Sequence, residues 1–313
     1  MKSFLKKILH EDSIKKLNKY RFFLTKINPF ISWRYIYLDK GKCFDIFRFK
    51  AKEVLPNFIL IGAQRCGTTS MHSYLKKHPD IFMSQPLKEP GFFLDTAFIK
   101  NYLASYGIHF DSKDSLLKNF MLQGYSGEKF FGESSTHYTW GDRSRTFKTP
   151  QRMKMLNPEM KLIYIIRNPF ARMVSHFLGV QNKFQYVKLN HFVYNNSWVL
   201  ANSLYYYQLK YYLEFFTAKQ IKIIVFEDYI NDPQKILNEI FDHLNVKKYQ
   251  NYSSFKIMNQ SENRNLLPEK ELKFTLQNYE KLIEPIRTDI SEMEKFLHRS
   301  LSLWDISPEK WCV

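Results

Sequence analysis

Gly62-Ala63-Gln64-Arg65-Cys66-Gly67-Thr68-Thr69-Ser70 follows on the apolar run Phe58 to Ala63 and leads into Ser70 to Lys77, which has helical character up to His78-Pro79. A short apolar run closed by glycine reads as a buried strand, so these nine residues join a strand to a helix. Such a joint gathers backbone N–H groups at the positive end of a helix. With the hydroxyls and guanidinium present here, it becomes a cradle for an anion. The two glycines have the spacing of a nucleotide P-loop. However, Thr68 stands where a lysine should follow the second glycine, and the basic residue comes earlier, as Arg65. A plain glycine turn with an exposed arginine is the alternative, and the strand-loop-helix setting favours the cradle.

Working outward, the same unit recurs. Leu162 to Ile166 is a second β-branched run, followed by Asn168-Pro169 as cap and first turn of a helix reaching about Phe177. Ser203 to Phe216 carries Tyr and Leu at helical spacing, Ile221 to Phe226 is a third strand, and Asp232-Pro233 opens a helix to about Leu244. Strands separated by helices predict an α/β protein with a central parallel sheet flanked by helices, a P-loop NTPase-like three-layer fold. A nucleotide-hydrolysing or kinase site also needs an acidic residue for Mg²⁺. The second strand ends in Arg167-Asn168-Pro169 instead, but Glu227 and Asp228 close the third strand, so that reading stays open.

Composition bounds the remainder. The chain has 313 residues, 44% hydrophobic and 17% aromatic, which excludes disorder as the main state. Its net charge is +17, unevenly spread: residues 1–56 hold fourteen Lys and Arg against five Asp and Glu, an excess of nine, leaving eight for everything after. Residues 1–55 therefore read as a basic N-terminal extension, suited to a solvated helix face or an anionic membrane surface, ahead of a single domain at 56–313. No run approaches the roughly eighteen apolar residues of a spanning helix, and the start lacks an apolar signal core. Cys43, Cys66 and Cys312 lie far apart and are odd in number, which points to a reducing, cytoplasmic setting, with peripheral membrane contact through the arm. A non-catalytic polyanion- or membrane-binding module is the rival from another functional class. Nucleic acid is not an expected partner.

The loop, with Arg65-Cys66-Gly67-Thr68-Thr69, resembles the 5′-phosphosulfate loop of sulfotransferases that use 3′-phosphoadenosine 5′-phosphosulfate (PAPS), which usually reads Lys-Ser-Gly-Thr-Thr. Arg167-Asn168-Pro169-Phe170-Ala171-Arg172-Met173-Val174-Ser175 is similar to the family's 3′-phosphate motif. That resemblance assigns the 3′-phosphate to Arg167 and Ser175. Lys88-Glu89-Pro90-Gly91-Phe92-Phe93 resembles the Lys-Glu-Pro-His-Phe-Phe segment of the carbohydrate and heparan-sulfate-type branch, whose Glu is the catalytic base; Gly91 replaces the His. Gly132-Glu133-Ser134-Ser135-Thr136-His137-Tyr138 is similar to that branch's Gly-Glu-Lys-(Ser/Thr)-Pro-x-Tyr, with Ser134 in place of the Lys. The resemblance runs from about Pro56 to Trp304. It implies sulfuryl transfer from PAPS to a hydroxyl or amine, with adenosine 3′,5′-bisphosphate (PAP) as product and no metal.

Sulfuryl transfer is an in-line displacement governed by positioning and electrostatics, and each residue has a role in that scheme. Donor contacts are expected from Arg65, Cys66, Gly67, Thr68, Thr69, Ser70, Arg167 and Ser175, with Arg264 as a late-chain basic contact. Arg65 keeps its charge at any working pH, so it serves as donor and charge, not as an acid. Glu89 is the first choice of base, because its apolar neighbours Pro90, Phe92 and Phe93 would raise its pKa while Lys88 pulls the other way. His137 and Glu133 are the alternatives, and Lys88 would meet the sulfuryl group or an anionic acceptor. Tyr205, Tyr206, Tyr207, Tyr211 and Tyr212 read as packing, and Trp140 as a ring to stack on adenine or sugar. The acceptor stays open among glycan, lipid, small metabolite and protein tyrosine.

Overall fold

The structure is a computed structural model describing residues 54–141, 148–180, 188–249 and 267–313. Arg264 and nearly all of the basic extension lie outside the described residues. Among those described, five strands form one sheet: β1 (Phe58–Gly62), β2 (Ile81–Met83), β3 (Phe130–Glu133), β4 (Lys161–Ile166) and β5 (Ile221–Val225). Their order is β2-β3-β1-β4-β5 and every neighbouring pair is parallel. Parallel strands cannot be joined by tight turns, so helices cross between them and cover the sheet. The consequence shows in β1, whose residues are buried on both faces, with Phe58 through Ile61 fully inaccessible.

The helices are α1 (Thr68–Leu75), α2 (Thr96–Ala104), α3 (Lys113–Phe120), α4 (Thr149–Leu156), α5 (Pro169–Val180), α6 (Leu189–Asn195), α7 (Ser197–Ala201), α8 (Tyr205–Tyr212), α9 (Phe226–Asn231), α10 (Pro233–Leu244), α11 (Leu276–Leu297) and α12 (Pro308–Trp311). The two expected caps form. Asn168 Oδ1 accepts from the Ala171 N–H at 3.1 Å to start α5, and Asp232 Oδ1 accepts from Lys235 at 3.0 Å to start α10. Phe170, Met173, Val174 and Phe177 on α5 then pack with Tyr279, Leu282, Ile283 and Ile286 of α11 in one apolar cluster. None of the helices among the described residues is long and apolar enough to cross a membrane.

Three boundaries differ from the sequence reading, each for a local reason. Helix α1 begins at Thr68 instead of Ser70, because Gly67 takes φ +83 and turns the chain into the helix directly. Phe226 opens α9 instead of ending β5. Helix α8 occupies only the middle of Ser203 to Phe216. Its start is fixed from elsewhere, by buried Asp289 of α11 accepting from the Tyr206 and Tyr207 N–H groups at 3.0 and 2.7 Å. The tyrosines pack as expected, Tyr205, Tyr211 and Tyr212 in the core and the other two half-buried.

Because all strands run the same way, their carboxyl ends share one edge of the sheet. The connection leaving β1 runs toward β2, whereas the one leaving β3 crosses to β4 on the other side. A crevice therefore opens beside the end of β1, where ligands of such sheets bind.

Candidate active site

The loop after β1 lies in that crevice. Arg65 holds φ +70, a backbone conformation uncommon outside glycine, and Gly67 supplies the turn before α1 without any side-chain cap. The first-turn N–H groups of Thr68, Thr69 and Ser70 have no intrahelical acceptor and point out of the helix start. A Cβ on Gly67 would meet the Phe226 ring at 2.8 Å. The same ring lies under the Arg167 guanidinium, 4.6 Å from its centroid. Phe226 is thus a common floor for the loop and for Arg167.

The sequence-assigned donor residues converge. Arg65 Nε donates to Ser175 Oγ at 3.3 Å, and Arg167 Nη1 donates to the Arg65 carbonyl at 3.2 Å. No carboxylate lies within ion-pair distance of either arginine among the described residues. Burial, then the like charges of Arg167 and Arg172, lower the pKa of the Arg65 guanidinium, so positive charge is concentrated here. Cys66 is buried, its Sγ 3.8 Å from the Tyr205 hydroxyl, and burial pushes its thiol up to about 12. Cys66 is therefore neutral packing under the loop.

Gly179 of α5 explains how Arg65 reaches Ser175, since a Cβ there would fall 2.7 Å from the Arg65 guanidinium carbon. Gly179→Ala should therefore separate stability from binding. The helix gains up to about 1 kcal/mol from alanine, while the flexible arginine end is displaced and affinity for a bound nucleotide falls. Equal affinity in both proteins, measured by calorimetry beside thermal melts, would dissociate Gly179 from the site.

On the other side of β1, the ends of β2 and β3 bring the remaining two motifs together. Lys88 Nζ pairs with Glu89 Oε1 at 2.6 Å, Thr136 Oγ1 donates to Glu89 Oε2 at 2.9 Å, and His137 Nδ1 stands 3.6 Å from that oxygen. Glu89 is half-buried, its side chain 27% exposed. The expectation that apolar neighbours raise its pKa is corrected here. Phe92 and Phe93 turn into the core, and burial is outweighed by the charges of Lys88 and His137 and by the two hydrogen bonds, so the carboxyl is held below the ordinary carboxylate range. His137 is buried between Tyr102 and Trp140, with ring centroids at 4.5 and 4.9 Å. Trp140 meets His137 and Trp198 in T-shaped contacts, with ring centroids at 4.9 and 5.7 Å. The turn Thr136–Thr139 is pinned to β1 through Thr139 Oγ1, which donates to the Ile61 carbonyl at 3.1 Å.

Glu133 is placed differently from a base facing an acceptor. It is fully inaccessible, Ser135 donates to Oε2 at 2.8 Å, and the Tyr138 hydroxyl donates to Oε1. Burial drives its pKa up to about 8 against those two bonds. Its folded pKa thus exceeds the unfolded value, so the folded protein holds a proton that the unfolded chain has lost, and stability falls as pH rises toward 8. Unfolding free energy should drop by about 1 kcal/mol between pH 7 and pH 8. Urea titrations at the two pH values check this, and Glu133→Gln should flatten the difference.

Two carboxylates that left metal-dependent chemistry open in the sequence are occupied otherwise. Glu227 accepts from the Asn168 N–H at 3.0 Å and from the Trp304 indole at 2.8 Å, and Asp228 pairs with Arg299 at 2.5 Å. Sequence reasoning missed several supporting cations. Arg172 is fully buried, bonding Ser203 Oγ at 2.6 Å, the Val199 carbonyl at 2.7 Å and His176 at 3.3 Å. Lys113 is buried with its ammonium on the Phe92 and Leu94 carbonyls, and Arg152 donates to the Phe93 carbonyl at 3.1 Å. A single sequence cannot distinguish such inward-facing cations from surface ones, because most of their partners are main-chain carbonyls.

A glycine-capped loop, paired arginines across β1 and β4, and a carboxylate on the β2 side thus meet at the carboxyl ends of the strands of a P-loop-like sheet. The sulfotransferase domain family matches residues 55–276, and the chain belongs to that family. It is 23% identical over 298 residues to the membrane-associated sulfotransferase kil1 of Dictyostelium discoideum, an alignment covering 66% of this chain and 59% of that protein. Carbohydrate sulfotransferase 15 of Mus musculus is 24% identical over 283 residues, covering 69% of this chain and 47% of its own. The crystal structure of a sulfotransferase from Alicyclobacillus acidocaldarius superposes with a TM-score of 0.62 at 25% identity, over 80% of this chain and 99% of that one. The matches span from 24% to 59% of the length of these curated relatives.

Proposed function

We propose that the protein transfers a sulfuryl group from PAPS to a hydroxyl or amine acceptor, with Glu89 as base and residues 56–313 as the catalytic body. The observation that carries this reading is the convergence of Arg65, Arg167 and Ser175 on the open start of α1, with no acidic partner among the described residues. Two guanidiniums and a row of N–H groups suit a donor with more than one anionic group. PAPS, when bound, supplies the activated sulfuryl group.

The chain's own residues then divide the work. Thr68, Thr69, Ser70 and the surrounding loop N–H groups, with Arg65, hold the phosphosulfate end, and Arg167 with Ser175 holds the 3′-phosphate. Arg65 acts by charge and hydrogen bonding, since a guanidinium does not give up its proton. Glu89 is ionised throughout the neutral range and accepts the acceptor's proton. Its ion pair with Lys88 weakens it as a base, so a Lys88 ammonium drawn toward an anionic ligand would release Glu89 and raise its proton affinity. His137 is placed to orient the carboxylate. A glycan acceptor is the reading supported by the relatives, which include carbohydrate sulfotransferase 15 and a human heparan sulfate glucosamine 3-O-sulfotransferase. The basic arm would meet an anionic membrane surface, in keeping with the membrane association of kil1.

Calorimetry with PAP against ATP plus Mg²⁺ tests the donor assignment. PAP should bind without metal, and binding of the ATP complex alone would overturn it. A screen of glycans, lipids, metabolites and tyrosyl peptides with labelled PAPS then identifies the acceptor.

A further inference from the structure

We infer that Glu133 is a positioning residue that aims Glu89, acting through Ser135 and Tyr138 on the backbone of Gly91 to Phe93. The inference rests on the reading of Glu89 as base. Glu133 closes β3 with no exposed surface, and each of its carboxyl oxygens accepts one hydroxyl, Ser135 on Oε2 and Tyr138 on Oε1. Each hydroxyl in turn accepts a backbone N–H from the segment that follows Glu89. Gly91 N–H donates to Ser135 Oγ at 2.8 Å, and Phe93 N–H donates to the Tyr138 oxygen at 3.2 Å. A hydroxyl has one proton, so committing it to the carboxyl leaves only lone pairs for the N–H groups. The Gly91 and Phe93 N–H groups are thus each tied to the carboxyl through one hydroxyl.

The segment is held from its other side as well. The carbonyls of Phe92 and Leu94 accept from Lys113, and that of Phe93 accepts from Arg152. With N–H groups and carbonyls both fixed, residues 91–94 have little freedom, and Gly91 at φ +61 leaves them along a path that other residues adopt poorly. Pro90 is the single link between this frame and Glu89, and its ring fixes φ. Thr136, the residue after Ser135, bonds the Glu89 carboxylate itself at 2.9 Å. One short stretch, Glu133 to Tyr138, thus holds both the backbone beside Glu89 and its side chain. With both oxygens engaged and no exposed surface, Glu133 itself has no path to an acceptor.

A double-mutant cycle tests this, using Ser135→Ala and Tyr138→Phe, each alone and combined with Glu89→Gln, alongside Glu133→Gln. Ser135→Ala and Tyr138→Phe should each lower kcat by roughly tenfold with PAP affinity unchanged, and should cost nothing further in the Glu89→Gln protein, because their effect passes through that carboxylate. Loss by the same factor in both backgrounds, or no loss in either single variant, overturns the inference while leaving Glu89 as base. Near-wild-type turnover of Glu89→Gln alone overturns the base assignment, and the inference with it. Should Glu133→Gln fail to fold, the two hydroxyl variants still decide the matter.

Discussion

Glu89→Gln is expected to reduce turnover by roughly two to four decades, the usual scale for loss of a general base, with PAP affinity unchanged. The amide keeps the size of the carboxyl and can still accept from Thr136, so the local fold should persist. On the proposed reading, what disappears is the group that takes the acceptor's proton, together with the 2.6 Å ion pair that restrains Lys88. Because Lys88 and His137 hold the Glu89 carboxyl below the ordinary range, the basic limb of activity should depend on the acceptor and not on Glu89. Rates near wild type in a saturating steady-state assay would transfer the proton to His137, the other titratable group at that oxygen.

Arg167→Ala should weaken PAP binding by roughly tenfold to a hundredfold, on the scale of about 1.5–3 kcal/mol for a hydrogen bond to a charged group. Two losses combine in this variant. The guanidinium over Phe226 no longer meets the ligand, and the Arg65 carbonyl loses the donor that steadies its left-handed backbone. Acceptor affinity should change little, since Glu89, Thr136 and His137 hang from β2 and β3 on the other side of β1. Unchanged PAP affinity in calorimetry would remove Arg167 from the donor site.

The donor half of this arrangement was legible in the sequence because its signals are local. Strand, glycine turn and helix are contiguous around Arg65, and Asn168-Pro169 marks the start of α5 within a few residues of Arg167 and Ser175. The other half was legible only as motifs. Strands β2 and β3 have three and four residues, too few to show a period, so nothing in the chain announces that Glu89 and His137 meet. The pKa of Glu89 was misread for the same reason. Its sequence neighbours Phe92 and Phe93 face the core, whereas Thr136 and His137, nearly fifty residues on, face the carboxylate. Glu133 shows the limit most clearly, since a carboxyl bonded through hydroxyls to main chain looks like any acidic residue in the sequence.

The cluster of Arg65, Arg167 and Arg172 has a consequence beyond recognition. Three like charges gathered at the end of a sheet, one of them fully buried, oppose folding by mutual repulsion, and among the described residues no carboxylate forms an ion pair with Arg65 or Arg167. An anion bound there is in effect a missing piece of the protein's own charge balance. The melting temperature should consequently climb with PAP, and to a smaller degree with inorganic sulfate or phosphate, at constant ionic strength. The choice of buffer salt would then set how much of the population is folded and ready to bind.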